Sequence, residues 1–524
     1  MILNQNGPLT RVEKIALVVA LLLAAALMWP VRGYLTDDTF IHLQYARNLA
    51  AGHGLVFNVG ERVYGCTSPL WVTLIADGMA FGLDGLLVAR VLGLCATLAS
   101  VVLFLQLMRR SVRLPELRAV ATVAWAAHAW MLRWSLSGME TPLAVALTLA
   151  GFVAFTEGRQ WGSRPVRTGA LWALAALTRP EAVFLLILWG VFLIVDTDSR
   201  EGLRRLVFGI LPPAVIYGAW LLFARVYFGT FWPQTLAAKT AGGSGLDYRL
   251  GELWRQIKII GATDGALAAL LLTALIFGGR RLWPGRMFAQ RLVPGAWLIG
   301  VPALYVARGV PVLSRYLLPL LPVLAWLSWG AAERWWLGGR NLSEPEAEIA
   351  PARSRRAGVL GALVAALVIA QNLAVYRGAV LPQVRSFTAG LERSLIPWGR
   401  WFHDHATPDA VIAAPDIGAI GYFSGRHVLD LAGLVSPRIV PLLQRESPED
   451  MVANLDFASF ARPEFLVDRA PTAYELMKRS PHAARFTPLG TATVPNLGIA
   501  RPGEVVYSFY RIDWKGFDSP QRER

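Results

Sequence analysis

The chain is poor in charge and in cysteine. Only 17% of its 524 residues are Asp, Glu, Lys or Arg, against about 25% for an ordinary soluble domain. Two cysteines are present, Cys66 in a polar loop and Cys95 inside an apolar block. That argues against a disulfide framework, and the absence of Cys/His ligand spacing argues against a zinc module. Acidic residues are the scarcer sign, 36 against 51 basic ones, for a net charge of +15. The basic excess sits in short loops between apolar blocks, the pattern of membrane topology rather than of a nucleic-acid footprint. Apolar residues make up 55% of the chain, with 20 Trp. This richness excludes a disordered chain. The length of the apolar blocks argues against a soluble enzyme, and the expected class is an α-helical polytopic membrane protein with one polar domain attached.

The first block, 15–31, follows Arg11 and Lys14 and is not followed by a small-x-small cleavage site, so it reads as a span rather than a signal sequence. Further candidate spans are 86–108, 117–134, 142–155, 169–177, 182–195, 206–224, 266–278, 292–307, 316–331 and 357–375. Arg-rich loops are predicted to be cytoplasmic: Arg109, Arg110, Arg113 and Arg118; Arg159, Arg164 and Arg167; Arg280, Arg281, Arg286 and Arg291; Arg353, Arg355 and Arg356. The loop after the first span carries Asp37, Asp38 and Glu61 and is predicted to lie outside. Parity turns on 169–195. Pro180 and the charges beside it break this stretch into two short helices, which places Arg200, Arg204 and Arg205 inside. The total is about eleven spans in the inner or plasma membrane, N-terminus in and C-terminus out.

Residues 1–376 then form the transmembrane domain, with a first outer loop at 34–85. Residues 377–524, where charge, Pro and His return, form an extracytoplasmic α/β domain of ordinary size. Val411–Ala414 and 427–431 read as strands around a Gly-rich turn, Asp416 to Gly421. A nucleotide-binding turn is one reading. A structural or glycan-contacting role suits an external compartment better.

The polar groups carry the chemistry. Thr36 is placed to cap a helix starting near Asp37, with Phe40, Ile41, Tyr45 and Leu49 on its membrane-facing side. Two carboxylates, Asp37 and Asp38, then occupy its first turn, where the helix dipole favours their ionised form. Such a carboxylate can take the proton of an attacking hydroxyl; plain capping is the alternative. Glu140, Arg179 with Glu181, Lys239, and Arg315 with Tyr316 interrupt apolar patterning near predicted outer span ends, where charges mark function. Cations at headgroup depth suit a phosphate, although snorkelling or simple pairing accounts for each one singly. His128 reads as a hydrogen-bonded contact, His403 and His405 around Asp404 as a solvated surface, and 344–348 as a solvated acidic loop.

The ordered set Asp37-Asp38, Arg47-Asn48, Gly52-His53-Gly54, Phe57-Asn58, Gly60-Glu61 and Thr67-Ser68-Pro69-Leu70-Trp71 resembles the GT-C class of integral-membrane glycosyltransferases. Within that class the likeness is to the mycobacterial terminal β-1,2 arabinofuranosyltransferase family and its bacterial relatives. Ser137–Thr141, Thr178–Glu181, Tyr227-Phe228-Gly229 with Pro233-Gln234-Thr235 and Lys239, and Arg315-Tyr316 with Pro319 and Pro322 look like its later motifs. Gly418–Tyr422 and Asp430–Leu434 resemble its C-terminal domain. Gln234 stands where Asn is expected and is assigned no role.

The resemblance implies a polyprenyl-phosphate-sugar donor, transfer at the outer face to a glycan, lipid or protein acceptor, and an Asp of the first outer loop as base. Asp38 is then the base, with Asp37 as partner or alternative. Lys239, Arg315 and Arg179 hold the donor phosphate. Glu140, Arg47 and Tyr316 position substrate. A single displacement inverts the anomeric centre. No nucleotide, redox cofactor or nucleic-acid partner is implied, and no multi-ligand metal set is visible. A lipid-linked saccharide flippase is the rival from another class; it needs the cations but not the paired acids. An outer scaffold protein leaves the intramembrane charges unexplained.

Overall fold

The computed structural model describes residues 7–157, 162–195, 200–235, 245–278, 286–337, 351–495 and 503–517. Lys239, Arg159, Arg280, Arg281 and the acidic run 344–348 lie outside the described residues. The chain divides into two compact units. One comprises Met1–Arg32, Arg90–Leu221 and Ser244–Leu381; the other comprises Gly33–Ala89, Leu222–Gly243 and Pro382–Arg524.

The first unit is helical. Its first helix, Arg11–Met28, opens with a capping box in which Thr10 and Glu13 satisfy each other's backbone N–H groups. The same Glu13 carboxylate, fully buried, lies 3.4 Å from Arg109 and 3.3 Å from Arg118. Glu333 accepts the backbone N–H groups of Arg113 and Leu114, which caps the helix Pro115–Ala126 from another element. Gly151 admits an aromatic cluster. A Cβ there would stand 2.2 Å from the Trp172 indole nitrogen, and Trp172 packs with Phe152, Phe155 and Trp189.

The break expected at Arg179-Pro180 is present. Pro165–Thr178 ends, Arg179 is extended (φ −146°, ψ 128°), and a short 3-10 turn leads into Val183–Val195. A residue before proline avoids the α region, so Pro180 dictates this conformation. The candidate span 117–134 is not continuous. It breaks at His128, which caps Ala129–Ser135 by accepting the Met131 N–H on Nδ1. Its Nε2 meets Asp264 at 2.9 Å. The candidate span 266–278 is the end of a longer helix, Leu246–Gly278.

Among the described residues five helical stretches are long and apolar enough to cross a membrane: Arg11–Val31, Gly85–Arg109, Arg200–Phe228, Leu246–Phe277 and Ala352–His405. Shorter apolar helices include Thr141–Phe155, Pro180–Val195 and Leu292–Arg308. The chain is a multi-pass membrane protein. Pro351–Val375 continues through a π-turn, Tyr376–Val380, into Leu381–Arg393, and the two units divide at Leu381 and Pro382.

The second unit is built on a five-stranded sheet of order β2-β1-β3-β5-β4. Its strands are β1 (Val411–Ala414), β2 (His427–Asp430), β3 (Phe465–Ala470), β4 (Phe486–Val494) and β5 (Val505–Ile512). β1 runs parallel to β2 and β3, while β3, β5 and β4 are antiparallel. Helix Leu395–His405 covers one face: Trp398 stacks on Phe509 with centroids 3.9 Å apart, over Gly490. The other core gathers Leu429, Met451, Phe457, Leu466, Leu476 and Tyr510.

The predicted first outer loop packs in this same unit, although its sequence neighbours are the spans. Asn58 explains much of it. Its amide donates to the Val428 carbonyl (2.9 Å) and accepts the Val428 N–H (3.0 Å), so it pairs with the edge strand β2 as another strand would.

Candidate functional site

Helix Asp37–Ala50 carries the paired carboxylates. Thr36 is extended, and its hydroxyl accepts the Thr39 N–H. Asp37 and Asp38 fall in the first turn, as expected, and both side chains are half-buried. Two residues of the apolar face, Phe40 and Tyr45, are buried against protein. Phe40 packs on Tyr422 and Phe423, and Tyr45 on Phe57, all inside the second unit. Gln44 and Asn48 point into the loop that follows and hold the Phe57 carbonyl from two positions one turn apart.

Asp37 is tied to the segment after β1. Asp37 accepts two backbone N–H bonds, from Gly418 to Oδ2 and from Ala419 to Oδ1, each 2.8 Å. These donors open the short helix Gly418–Ser424, in the segment where a Gly-rich turn was expected. Nothing but glycine fits at 418, since a Cβ would lie 1.9 Å from the Asp37 carbonyl oxygen. Burial, reinforced by the facing Asp416, pushes the Asp37 carboxyl up to about 7, and the two N–H bonds only partly offset this. Asp416 is itself held by Arg469 (2.7 and 2.9 Å) and by the Tyr507 hydroxyl (2.8 Å). Arg47 donates to the Tyr422 carbonyl at 2.8 Å, bonds Gln44, and lies 4.8 Å over the Tyr422 ring. These contacts are directed at the helix Gly418–Ser424. Asp430, buried at the end of β2, accepts the N–H groups of Ala432 and Val435 and shapes the loop after the strand.

The first unit holds the cation cluster. Arg179 is buried and donates to both Glu140 and Glu181. Glu140 stands at the N-cap position of Thr141–Phe155, behind the positive-φ turn at Gly138, without a side-chain capping bond. The Tyr316 ring lies 4.8 Å from the Arg179 guanidinium and 5.4 Å from that of Arg315. Arg315, also buried, stands over Trp134 at 5.5 Å, and Trp134 is oriented by the Ser314 hydroxyl. The structure thus gathers Glu140, Arg179, Glu181, Arg315 and Tyr316 in one cluster, in which the single charge of Arg179 faces two carboxylates. Among the described residues no group of three or more His, Cys, Asp or Glu is arranged to hold a metal. Sequence reading missed the Asp416–Arg469–Tyr507 group, whose members lie on three separate segments. It also missed the receiving amides, for which the glycine at 418 was the only signal.

Residues 385–510 match a family described as a domain of unknown function, DUF8728. The chain is 33% identical over 228 residues to a terminal β-(1→2)-arabinofuranosyltransferase of Mycobacterium tuberculosis; the match spans 40% of this chain and 36% of that protein. Its fold is that of the GT-C proteins. It superposes on ArnT from Cupriavidus metallidurans bound to undecaprenyl phosphate with a TM-score of 0.56 at 16% identity, over 94% of this chain and 96% of that one. It superposes on the mycobacterial arabinofuranosyltransferase AftD with a TM-score of 0.53 at 18% identity, over 99% of this chain and 40% of that one.

Proposed function

We propose that the chain is a membrane glycosyltransferase that moves a sugar, arabinofuranose first among the candidates, from a polyprenyl-phosphate donor to a glycan, lipid or protein acceptor at the outer face of the membrane. The observation that carries this reading is the carboxylate pair in the first turn of helix Asp37–Ala50, in a chain a third identical over its match to a named arabinofuranosyltransferase.

In the proposed reaction the acceptor hydroxyl attacks the anomeric carbon. Its proton passes to Asp38, and the prenyl phosphate leaves with the electrons of the broken C–O bond. The single displacement inverts the anomeric centre. Arg315, with Lys239, meets the charge that grows on the leaving phosphate. Removing one such contact costs on the order of 3 kcal/mol of transition-state stabilisation. Arg179 holds Glu140 and Glu181 in place and shares the Tyr316 ring with Arg315, so these residues shape the cation's surroundings. The divalent metal that adjacent carboxylates sometimes bind has no assigned part.

The test supplies the purified chain with short-chain prenyl-phosphoryl sugars and measures prenyl-phosphate release and glycoside formation. Release should occur with one donor and fall at least about a thousandfold in Asp38→Asn. Release that survives Asp38→Asn rejects the base. Movement of the lipid-linked sugar across a bilayer with no transfer chemistry would instead favour a flippase.

A further inference from the structure

We infer that Asp37 is a positioning residue: it latches the helix that carries Asp38, the proton acceptor of the proposed reaction, onto the α/β sheet. The word acceptor rests on the proposed transferase reaction; the latch does not.

The α/β sheet makes the case from its own topology. β1 lies between β2 and β3, parallel to both, so the chain passes from β1 to β2 on one side and then crosses from β2 to β3 on the other. The crevice beyond the carboxyl ends of such strands is where open α/β sheets take their ligands. Here the segment Pro415–Ile417 and the first amides of Gly418–Ser424 stand at that end, and they receive a carboxylate of the chain itself, from Asp37. The amides that would cradle a phosphate are spoken for, which answers the nucleotide-turn reading of this Gly-rich stretch.

The attachment is built at both ends of the helix. Asp37 binds Gly418 and Ala419, and Arg47 binds the Tyr422 carbonyl. At 1.5 Å per residue these anchors are about 15 Å apart along the helix axis, a base long enough to fix its tilt. Phe40 fills the space between them against Tyr422 and Phe423. The receiving segment is rigid in turn, because Asp416 is tied to Arg469 on β3 and to Tyr507 on β5. The contact has no slack: a Cβ at Gly418 would come within 2.9 Å of the Asp37 Cγ.

A carboxyl near 7 would suit a general base, so geometry must decide between the two acids. Both Asp37 oxygens accept backbone N–H groups, so each is already directed at the chain's own amides. The adjacent carboxylate, carried on the same helical turn, is held in register by these bonds.

The test uses the full chain in lipid nanodiscs and compares wild type, Asp37→Asn, Ala419→Pro, their double variant, and Asp38→Asn. Ala419→Pro removes one donor and leaves both acids, at a first-turn position where proline is tolerated. Amide hydrogen exchange across 37–50 and 418–424 should rise in Asp37→Asn and Ala419→Pro and stay at the wild-type rate in Asp38→Asn. With a prenyl-phosphoryl sugar, Asp37→Asn and Ala419→Pro should each lower kcat about tenfold to a hundredfold with donor KM unchanged, as about 1 Å of misplacement does. The double variant should be no worse than the poorer single by more than about twofold, because both changes break the same latch. Asp37→Asn that abolishes turnover as fully as Asp38→Asn, with exchange at 418–424 unchanged, overturns the inference. If no donor supports transfer in wild type, the transferase reading fails. The exchange arm still decides the latch, which unchanged rates in Asp37→Asn would reject.

Discussion

Gly418→Ala is the sharpest perturbation the structure offers. The added methyl would start 1.9 Å from the Asp37 carbonyl oxygen and 2.7 Å from its carbonyl carbon, both backbone atoms that cannot rotate away. Reaching an ordinary 3.4 Å contact requires about 1.5 Å of separation between the helix start and residue 418. The two 2.8 Å bonds to Asp37 do not survive such a shift. Bonds to a charged group are worth about 1.5–3 kcal/mol each. Water entering a half-buried contact recovers part of this, so the expected loss is about 2–4 kcal/mol in the second unit. Displacement of the Asp38 helix by more than 1 Å should lower kcat about a hundredfold. Initial rates and hydrogen exchange over 37–50 measure both effects. Gly33→Ala serves as the control, because a Cβ there meets nothing within 4 Å. Wild-type turnover with unchanged exchange in Gly418→Ala would refute the close-packed latch.

Other expectations follow from the same contacts. Arg179→Ala leaves Glu140 and Glu181 buried without their shared cation and should cost about 3–5 kcal/mol, read as a fall in thermal stability in detergent. Arg179→Lys should recover part of it, because one ammonium cannot reproduce the planar fork. Asn58→Leu removes both bonds to Val428 and should free the loop 51–66 to protease while leaving the helices of the first unit protected. Stability should also depend on pH. Burial raises Asp37 from 3.8 to about 7 and Asp430 from 3.8 to about 6. Between about pH 4 and 7 the folded chain therefore holds protons that the unfolded chain has released, so stability falls as pH rises through this window. Denaturation of the second unit followed from pH 4 to 8 checks the sign, and a steady rise over that range would show that the N–H bonds outweigh burial.

Much of the molecule is legible in the chain because its causes are local. Apolar block length announces membrane helices, Thr36 announces the start of the Asp37 helix, and Pro180 forces the extended Arg179 that divides 165–195. The strands Val411–Ala414 and His427–Asp430 follow from short apolar runs between turn residues. Where the reading stops, the cause is long-range. His128 interrupts an apolar run because Asp264, more than a hundred residues away, offers its ring a partner. Phe40 reads as membrane-facing because hydrophobic periodicity records that a face is buried and not what buries it. Composition likewise groups the loop 34–85 with the spans around it, although it packs with residues 382–524.

What the sequence alone determined is the class of the molecule, the helices and the short list of acids and cations, since propensity, capping and hydropathy act over a few residues. The tertiary structure decided how those groups are employed. Arg179 became the shared partner of two glutamates, and Asp37 became tied to the start of helix Gly418–Ser424, because a carboxylate's role depends on which donors reach its oxygens. For Asp37 those donors are backbone amides about 380 positions further along the chain.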